Sequence, residues 1–272
     1  MIDPMDRAFL SALCLARAGL RVDPEKTYLI ESRLGPVARR EGFASPEALI
    51  VALRARTDER LGWSVVEAMA MTETEFFRDR VVFDRLAADV LPELAWRRGD
   101  QPVRIWSVAC GTGQEIYSLA MMLADSPGLC ARAELFGSDL SERSLEKAQA
   151  GIYSQFEVQR GLPARSLVRH FEKRGEAFVL SPRIRQMVRW RRINLLDDLS
   201  RFGQFDLLLC RNVLVGLSPE AGMRVRASLA GALAPGGRLV MGLRDDGGAQ
   251  FTGVSPERGV FAAGGDPTRS AA

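Results

Sequence analysis

Arg104-Ile-Trp-Ser-Val-Ala-Cys-Gly-Thr-Gly-Gln-Glu-Ile-Tyr-Ser118 is the stretch that decides the fold. Its opening, Arg104 to Ala109, is a short apolar run of strand length. Cys110-Gly-Thr-Gly113 is a turn whose glycines allow a tight backbone and close approach to a ligand. The remainder opens a helix that the spacing extends from Glu115 to Ala124. The same order then repeats. Ala133 to Ser138 predicts a second strand, closed by Asp139, and Glu142 to Ala150 a helix. Val188 to Asn194 predicts a third strand and Phe205 to Cys210 a fourth, almost wholly apolar, as a strand covered on both faces should be. Pro219 to Ala234 predicts a helix, Pro235-Gly-Gly237 a turn, and Arg238 to Leu243 a fifth strand. Such alternation implies a doubly wound, mainly parallel sheet, and the fold class is α/β. Gln250 to Val254 and Gly259 to Ala263 suit an edge hairpin, and the chain from Gly264 onward is expected to fray.

Upstream the period is helical. Ala8 to Ala18 is apolar on one face and stops at Gly19. Asp23-Pro24-Glu25 has the form of a helix start, with Pro in the first turn, and the helix runs to about Arg40. Ser45-Pro46-Glu47 opens another through Arg56, and Glu59 to Met69 predicts a fourth. This divides the chain into an all-helical N-terminal domain over 1–75, a linker helix over 76–102 and a sheet domain over 103–272.

Composition narrows the function. The chain has 272 residues, 47% hydrophobic and 26% charged, close to a soluble globular protein. No apolar run reaches the ~18–20 residues of a membrane span, so no membrane insertion is expected. The N-terminus lacks a signal layout. Four scattered cysteines without a C-x-x-C pair argue against structural zinc and suit a reducing cytoplasm. A single histidine excludes a multi-histidine metal centre, and no metal site is expected. The net charge of +3 does not signal nucleic acid. Its distribution is uneven, however. Residues 160–192 hold ten Arg/Lys and two acids, a local +8 that leaves −5 elsewhere. That concentration favours docking of an acidic partner over a merely solvated face.

Ligands of such a sheet bind at the carboxyl ends of its strands. Gly111-Thr-Gly113 alone is a weak signal, and Ile116 at the third glycine position disfavours a dinucleotide. Asp139 sharpens it, because an acid at the end of the second strand is placed to accept two hydrogen bonds from ribose hydroxyls. Glu115, beside the turn, is placed to pair with a ligand ammonium group; its plainer role is to stabilise a helix start. A GxG turn followed by this acid is the layout of Rossmann-like, S-adenosylmethionine-dependent methyltransferases.

Five segments make the resemblance specific: Met71-Thr-Glu-Thr-Glu-Phe-Phe-Arg-Asp79, Trp106 through Ser118, Gly151-Ile-Tyr153, Phe205-Asp206 through Cys210-Arg-Asn-Val213, and Leu233-Ala-Pro-Gly-Gly237. In order and spacing, from about Phe9 to Phe261, the chain resembles the CheR-type methyltransferases, which esterify glutamates of bacterial chemoreceptors. The resemblance implies a small helical domain, a class I methyltransferase domain and a small antiparallel β-insert, the last over the basic 160–192. It implies S-adenosylmethionine as cofactor and S-adenosylhomocysteine as product. Thr72, Thr74 and Arg78 fall on the segment that closes over the cofactor, with Arg78 as the candidate catalytic side chain that clamps a carboxylate. Gly111, Glu115 and Asp139 fall on cofactor positions, Asn194 and Leu195 near the adenine, Arg211 and Asn212 near the methionine part. The implied partner is the helical cytoplasmic region of a chemoreceptor or related signalling protein. Arg33, Arg39 and Arg40 on the second helix, with Arg183 and Arg185, are the candidate docking cations. The chain is then a cytoplasmic monomer, recruited to receptor clusters at the membrane.

The sequence also departs from the family. Thr72 stands for a usual Asn, Gln114 for a second acid, and Gly216-Leu217 for an aromatic pair that includes a Tyr near the transferred methyl. Gly242-Leu-Arg-Asp245 replaces Gly-His-Ser-Glu, and the insert is short by several residues. These departures keep a second reading open: a CheR-like module that binds the cofactor or its product and signals without methylating. A methyltransferase for another substrate is a third. Loss of the Tyr does not remove an essential base, since a glutamate with pKa near ~4.3 is already ionised at neutral pH.

Overall fold

The structure is a computed structural model; it describes residues 2–56, 58–70, 73–243, 245–255, 257 and 259–264. The expected fray beyond Gly264 and the candidate Thr72 lie outside the described residues. The chain packs as two units: 1–71 with 194–196 and 215–225, and 72–193 with 197–214 and 226–272.

The first unit is helical. Its helices are α1 (Pro4–Ala18), α2 (Thr27–Arg40), α3 (Pro46–Ala55) and α4 (Glu59–Met69). Local chemistry sets their ends. The Asp3, Ser45 and Asp58 side chains accept the free N–H groups of Met5, Ala48 and Leu61. Gly19 closes α1 at φ +64°, and a Cβ there would lie 2.4 Å from that of Ala221. The start of α2 differs from expectation. Asp23 Oδ1 accepts the N–H of Glu25, and the Asp23 carbonyl that of Lys26, so Asp23-Pro24-Glu25 is a separate turn. An aspartate that bonds its own downstream backbone favours the turn over the helix. Leu10, Ile30, Leu34, Leu49, Val65 and Val66 form the core. A short ladder joins residues 19–21 to 216–218: Arg21 donates to the Gly216 carbonyl at 2.9 Å, and Ser218 to that of Gly19 at 2.8 Å.

The second unit opens with α5 (Arg80–Arg85), a π-turn over Leu86–Val90 and α6 (Leu91–Arg98). Its strands are β1 (Val103–Val108), β2 (Ala133–Asp139), β3 (Ile152–Ser154), β4 (Phe171–Arg174), β5 (Ala177–Leu180), β6 (Val188–Arg192), β7 (Phe205–Cys210), β8 (Leu233–Met241), β9 (Phe251–Ser255) and β10 (Val260–Ala263). Between them run α7 (Gln114–Ala124), α8 (Pro127–Cys130), α9 (Glu142–Ala150), α10 (Gln155–Gln159), α11 (Ala164–His170), α12 (Pro182–Arg185) and α13 (Pro219–Ala232), the last with its residues up to 225 counted in the first unit. The main sheet has the order β6-β2-β1-β7-β8-β10-β9. Its first five strands are parallel, and β10 and β9 add an antiparallel edge hairpin. The order reverses between β1 and β7, which opens a crevice at their carboxyl ends. Every residue of β7 is buried, including Asp206, which accepts from Arg98 Nε at 2.7 Å and from the Arg104 N–H at 2.8 Å. No helix among the described residues is long and apolar enough to cross a membrane.

Two boundaries differ from the sequence reading. The small antiparallel sheet, β3-β5-β4, lies within 152–180, whereas β6, the end of the basic stretch, is an edge strand of the main sheet. Arginines on an exposed edge discourage pairing with other chains, which accounts for part of the charge. In addition, β8 begins at Leu233, five residues early. Its register with β7 jumps from Leu233 to Arg238, so the expected Pro235-Gly-Gly237 turn is an excursion inside the strand.

One packing constraint bears on the site. Phe76 is fully buried and meets Tyr153 and Phe171 edge-on, with centroids 5.1 and 5.7 Å away. Gly161, at φ +80°, lies so close that an added Cβ would come 1.9 Å from the Phe76 carbonyl oxygen. Gly161→Ala is therefore expected to cost about 3 kcal/mol or more in urea unfolding, through the backbone clash and the positive φ. Gly128→Ala, with no atom within 4 Å of its added Cβ, should leave the midpoint unchanged or raise it. Equal midpoints for both variants would contradict the clash.

Candidate functional site

The crevice at the ends of β1, β2 and β7 gathers the residues that the motifs singled out. Ala109 leaves β1 with φ +49°, and Gly111 and Gly113 follow at +56° and +90°. Asp139 ends β2, beside that turn. It is buried, its Oδ2 accepts the Gly111 N–H at 2.8 Å, and its Oδ1 accepts that of Ser141 at 2.9 Å. Burial raises the Asp139 pKa, against the pull of these backbone donors. The turn is held from two further sides. Tyr153 donates its hydroxyl to the Thr112 carbonyl at 2.7 Å, and the Trp190 ring lies against Gly113 and Gly137. Cys110 is buried there too. Burial first, then the nearby Asp139 and Glu115, hold its thiol well above the ordinary range and therefore neutral.

Glu115 stands in the first turn of α7. Its Oε1 accepts from the Ser107 hydroxyl at 3.2 Å, and its Oε2 from Arg211 Nη1 at 2.9 Å. Arg211 follows β7 with its side chain 1% exposed. Its Nη2 donates to Asp79 at 2.6 Å and to the Arg78 carbonyl at 2.8 Å. Arg211, expected near the methionine part of the cofactor, thus has both Nη1 and Nη2 on protein groups. Asn212, at φ +59°, donates its N–H to Asp245 Oδ2 at 3.3 Å, and Gly242 donates to the same oxygen at 2.8 Å. Among the described residues Asn212 Oδ1 is buried without a partner.

The segment 73–79 carries Thr74 and Arg78, both half-buried. Phe77 donates its N–H to Ser118 Oγ at 2.9 Å, and Ser118 donates to the Gln114 carbonyl at 2.7 Å. The Arg78 guanidinium makes one long bond, 3.5 Å, to the Glu73 carbonyl. Phe77 and Asp79 have φ of +48° and +54°. With Ala109 and Asn212 they complete the non-glycine residues of left-handed φ among the described residues, and all four flank this crevice. Strained backbone of this kind persists only where surrounding bonds hold it.

Other candidates are engaged within their own unit. Asn194 belongs to the helical unit and donates Nδ2 to the Arg17 carbonyl at 2.7 Å, while Leu195 beside it is half-buried. Arg33 is half-buried, with Nη1 on the Met69 carbonyl at 2.8 Å, and Arg185 turns inward to the Ala150 carbonyl at 3.2 Å. Neither presents the open cation expected of it. Arg39, Arg40 and Arg183 are exposed, with Arg40 paired to Glu41 at 3.0 Å. Sequence reasoning passed over Asp79, Ser107, Ser118, Tyr153 and Asp245. Asp79, Ser107, Ser118 and Tyr153 stood inside the quoted motifs, and only their bonding partners in space give them a role.

Residues 72–248 match the family described as CheR methyltransferase, SAM binding domain. The chain belongs to this CheR family. It is 37% identical over 242 residues to Chemotaxis protein methyltransferase 1 of Pseudomonas aeruginosa, covering 87% of this chain and 86% of that one. It is 35% identical to the Chemotaxis protein methyltransferase of Vibrio parahaemolyticus, over 86% of this chain and 85% of the relative. Among solved structures, the glycopeptide N-methyltransferase MtfA complexed with S-adenosylmethionine overlays with a TM-score of 0.34 at 14% identity, covering 56% of this chain and 51% of that one.

The cofactor of this CheR protein is S-adenosylmethionine. The crevice suits it chemically. Two carboxylates, Glu115 and Asp139, and the acceptor Asn212 Oδ1 are complementary in type to a molecule that carries an ammonium group, a sulfonium and ribose hydroxyls. Asp139→Asn keeps the shape of the side chain but replaces one acceptor with a donor. It is expected to weaken S-adenosylhomocysteine binding at least about tenfold by calorimetry, since a charge-assisted hydrogen bond contributes about 1.5–3 kcal/mol. Unchanged affinity would remove Asp139 from the site.

Proposed function

We propose that this CheR protein methylates glutamate side chains in the helical cytoplasmic region of a chemoreceptor or related signalling protein. The observation that carries the reading is the pairing of a glycine turn with Asp139 and Glu115 at the ends of β2 and β1, next to the strained segment that bears Arg78. The names of the 35–37% identical relatives support a chemotaxis substrate. When bound, the cofactor supplies a sulfonium methyl that a carboxylate turns into a methyl ester, with both charges neutralised. The protein's own work is then positioning. The substrate carboxylate is already ionised near neutral pH, so no side chain need act as a base. Among the described residues the Arg78 guanidinium has only its long bond to Glu73, which suits it to orient a carboxylate. Asp139 and Glu115 hold the ribose and the amino group, and Asn212 offers its unpartnered oxygen. The exposed cations Arg39, Arg40 and Arg183 suit attraction of a glutamate-rich surface, which screens with salt over a Debye length of ~10 Å at 0.1 M.

A second reading keeps the cofactor site and drops turnover. Gly216, where the resemblance puts a Tyr, favours it: its carbonyl is bonded to the Arg21 N–H and it offers no hydroxyl. A tritiated-methyl transfer assay on receptor fragments, with release of base-labile methanol, separates the two. The expected outcome is ester formation, raised in Gly216→Tyr because a hydroxyl there orients the acceptor. Tight cofactor binding with no transfer by either protein would support the signalling module instead.

A further inference from the structure

Three formal charges meet beside the glycine turn, and they do not cancel. The Arg211 guanidinium lies between Asp79, at 2.6 Å, and Glu115, at 2.9 Å. One cation against two anions leaves a formal −1. The Arg211 side chain is 1% exposed and depends on protein carboxylates, whereas Asp79 is 33% exposed and Glu115 13%; an unpaired charge at the depth of Arg211 is costly. If Glu115 were its only carboxylate, the attraction of Glu115 for a second cation would be largely consumed.

The two carboxylates bind different nitrogens. Among the described residues Nη2 faces Asp79 and the Arg78 carbonyl, while Nη1 faces Glu115 Oε2. Glu115 Oε1, among the described residues, takes the long bond from Ser107, at 3.2 Å. Among the described residues Arg211 is the cation paired with Asp79. Asp79 also sits at φ +54°, a conformation that Asp and Asn tolerate better than most side chains.

We infer that Asp79 is a positioning residue: by neutralising Arg211 it leaves the Glu115 carboxylate free to attract the cationic amino group of the cofactor. The inference rests on the reading of Glu115 as the partner of that amino group. A purely structural role for Asp79, bracing the strained segment, would affect every ligand of the crevice alike. An electrostatic role affects only ligands that carry the charged amino acid portion.

Calorimetry on the full chain with two ligands distinguishes these roles. S-adenosylhomocysteine carries the amino acid portion, whereas 5′-methylthioadenosine has the adenosine and thioether without it. Asp79→Asn keeps the left-handed backbone and a hydrogen-bonding oxygen but loses the charge. It is expected to weaken S-adenosylhomocysteine at least about tenfold while leaving methylthioadenosine within about twofold. Asp79→Glu should restore most of the lost affinity. Equal losses for both ligands, or unchanged affinity for S-adenosylhomocysteine, overturn the inference. Glu115→Gln tests the underlying reading separately, and it too should lose S-adenosylhomocysteine selectively. If it does not, the assignment of the amino group to Glu115 fails, whatever Asp79 does.

Discussion

A guanidinium sealed from water has to be answered by the protein, and Arg211 is answered from three directions. Glu115 comes from the start of α7, Asp79 from the end of the 73–79 segment, and the Arg78 carbonyl from within that segment. The charge therefore ties the end of β7 to the glycine turn's helix and to the segment that carries Arg78. Removing one carboxylate commits the other wholly to Arg211, and removing Arg211 leaves two carboxylates close together without their cation, which is costly. The four left-handed residues around it are the complement of this bond set. Backbone that is unfavourable by itself is retained because strong, directional bonds hold both of its ends.

A second, apolar frame supports the charged one. Phe76 is locked by Tyr153 and Phe171, and Gly161 packs against its carbonyl without room for a methyl group. Tyr153 also reaches the glycine turn through its hydroxyl, so a strand of the small sheet braces the crevice directly. The charged frame holds because buried charges are costly without partners, the apolar one because its rings are removed from water. The segment 73–79 and the turn 110–113 are accordingly held by Phe77–Ser118, Tyr153–Thr112 and Asp139–Gly111 rather than by regular secondary structure.

The basic character of the chain divides along similar lines. Several arginines that look free in sequence are structural. Arg33 and Arg185 cap backbone carbonyls, Arg98 serves the buried Asp206, and Arg238 serves Glu93 at 2.7 Å. Others lie on the open edge β6, where charge discourages pairing with a second sheet. The cations left exposed, among them Arg39 and Arg183, are fewer than the count of basic residues implies.

The amino-acid sequence by itself determined the alternation of strands and helices, the parallel sheet with its edge hairpin, and the position of the glycine turn and of Asp139 behind it. These follow from period, from glycine and from apolar runs, which act over a few residues and are legible in one dimension. Competition between local signals was less legible. Asp23 makes a turn instead of a cap, and Pro235-Gly-Gly237 stays inside β8, because pairing with β7 resumes beyond it. The partners of Arg211 lie 96 and 132 residues away in the chain. No periodicity reports such a distance, and left-handed Phe77, Asp79, Ala109 and Asn212 carry no glycine to announce them. Only the tertiary structure decided which charges meet, because a buried charge chooses its partners by proximity in space after the sheet has formed.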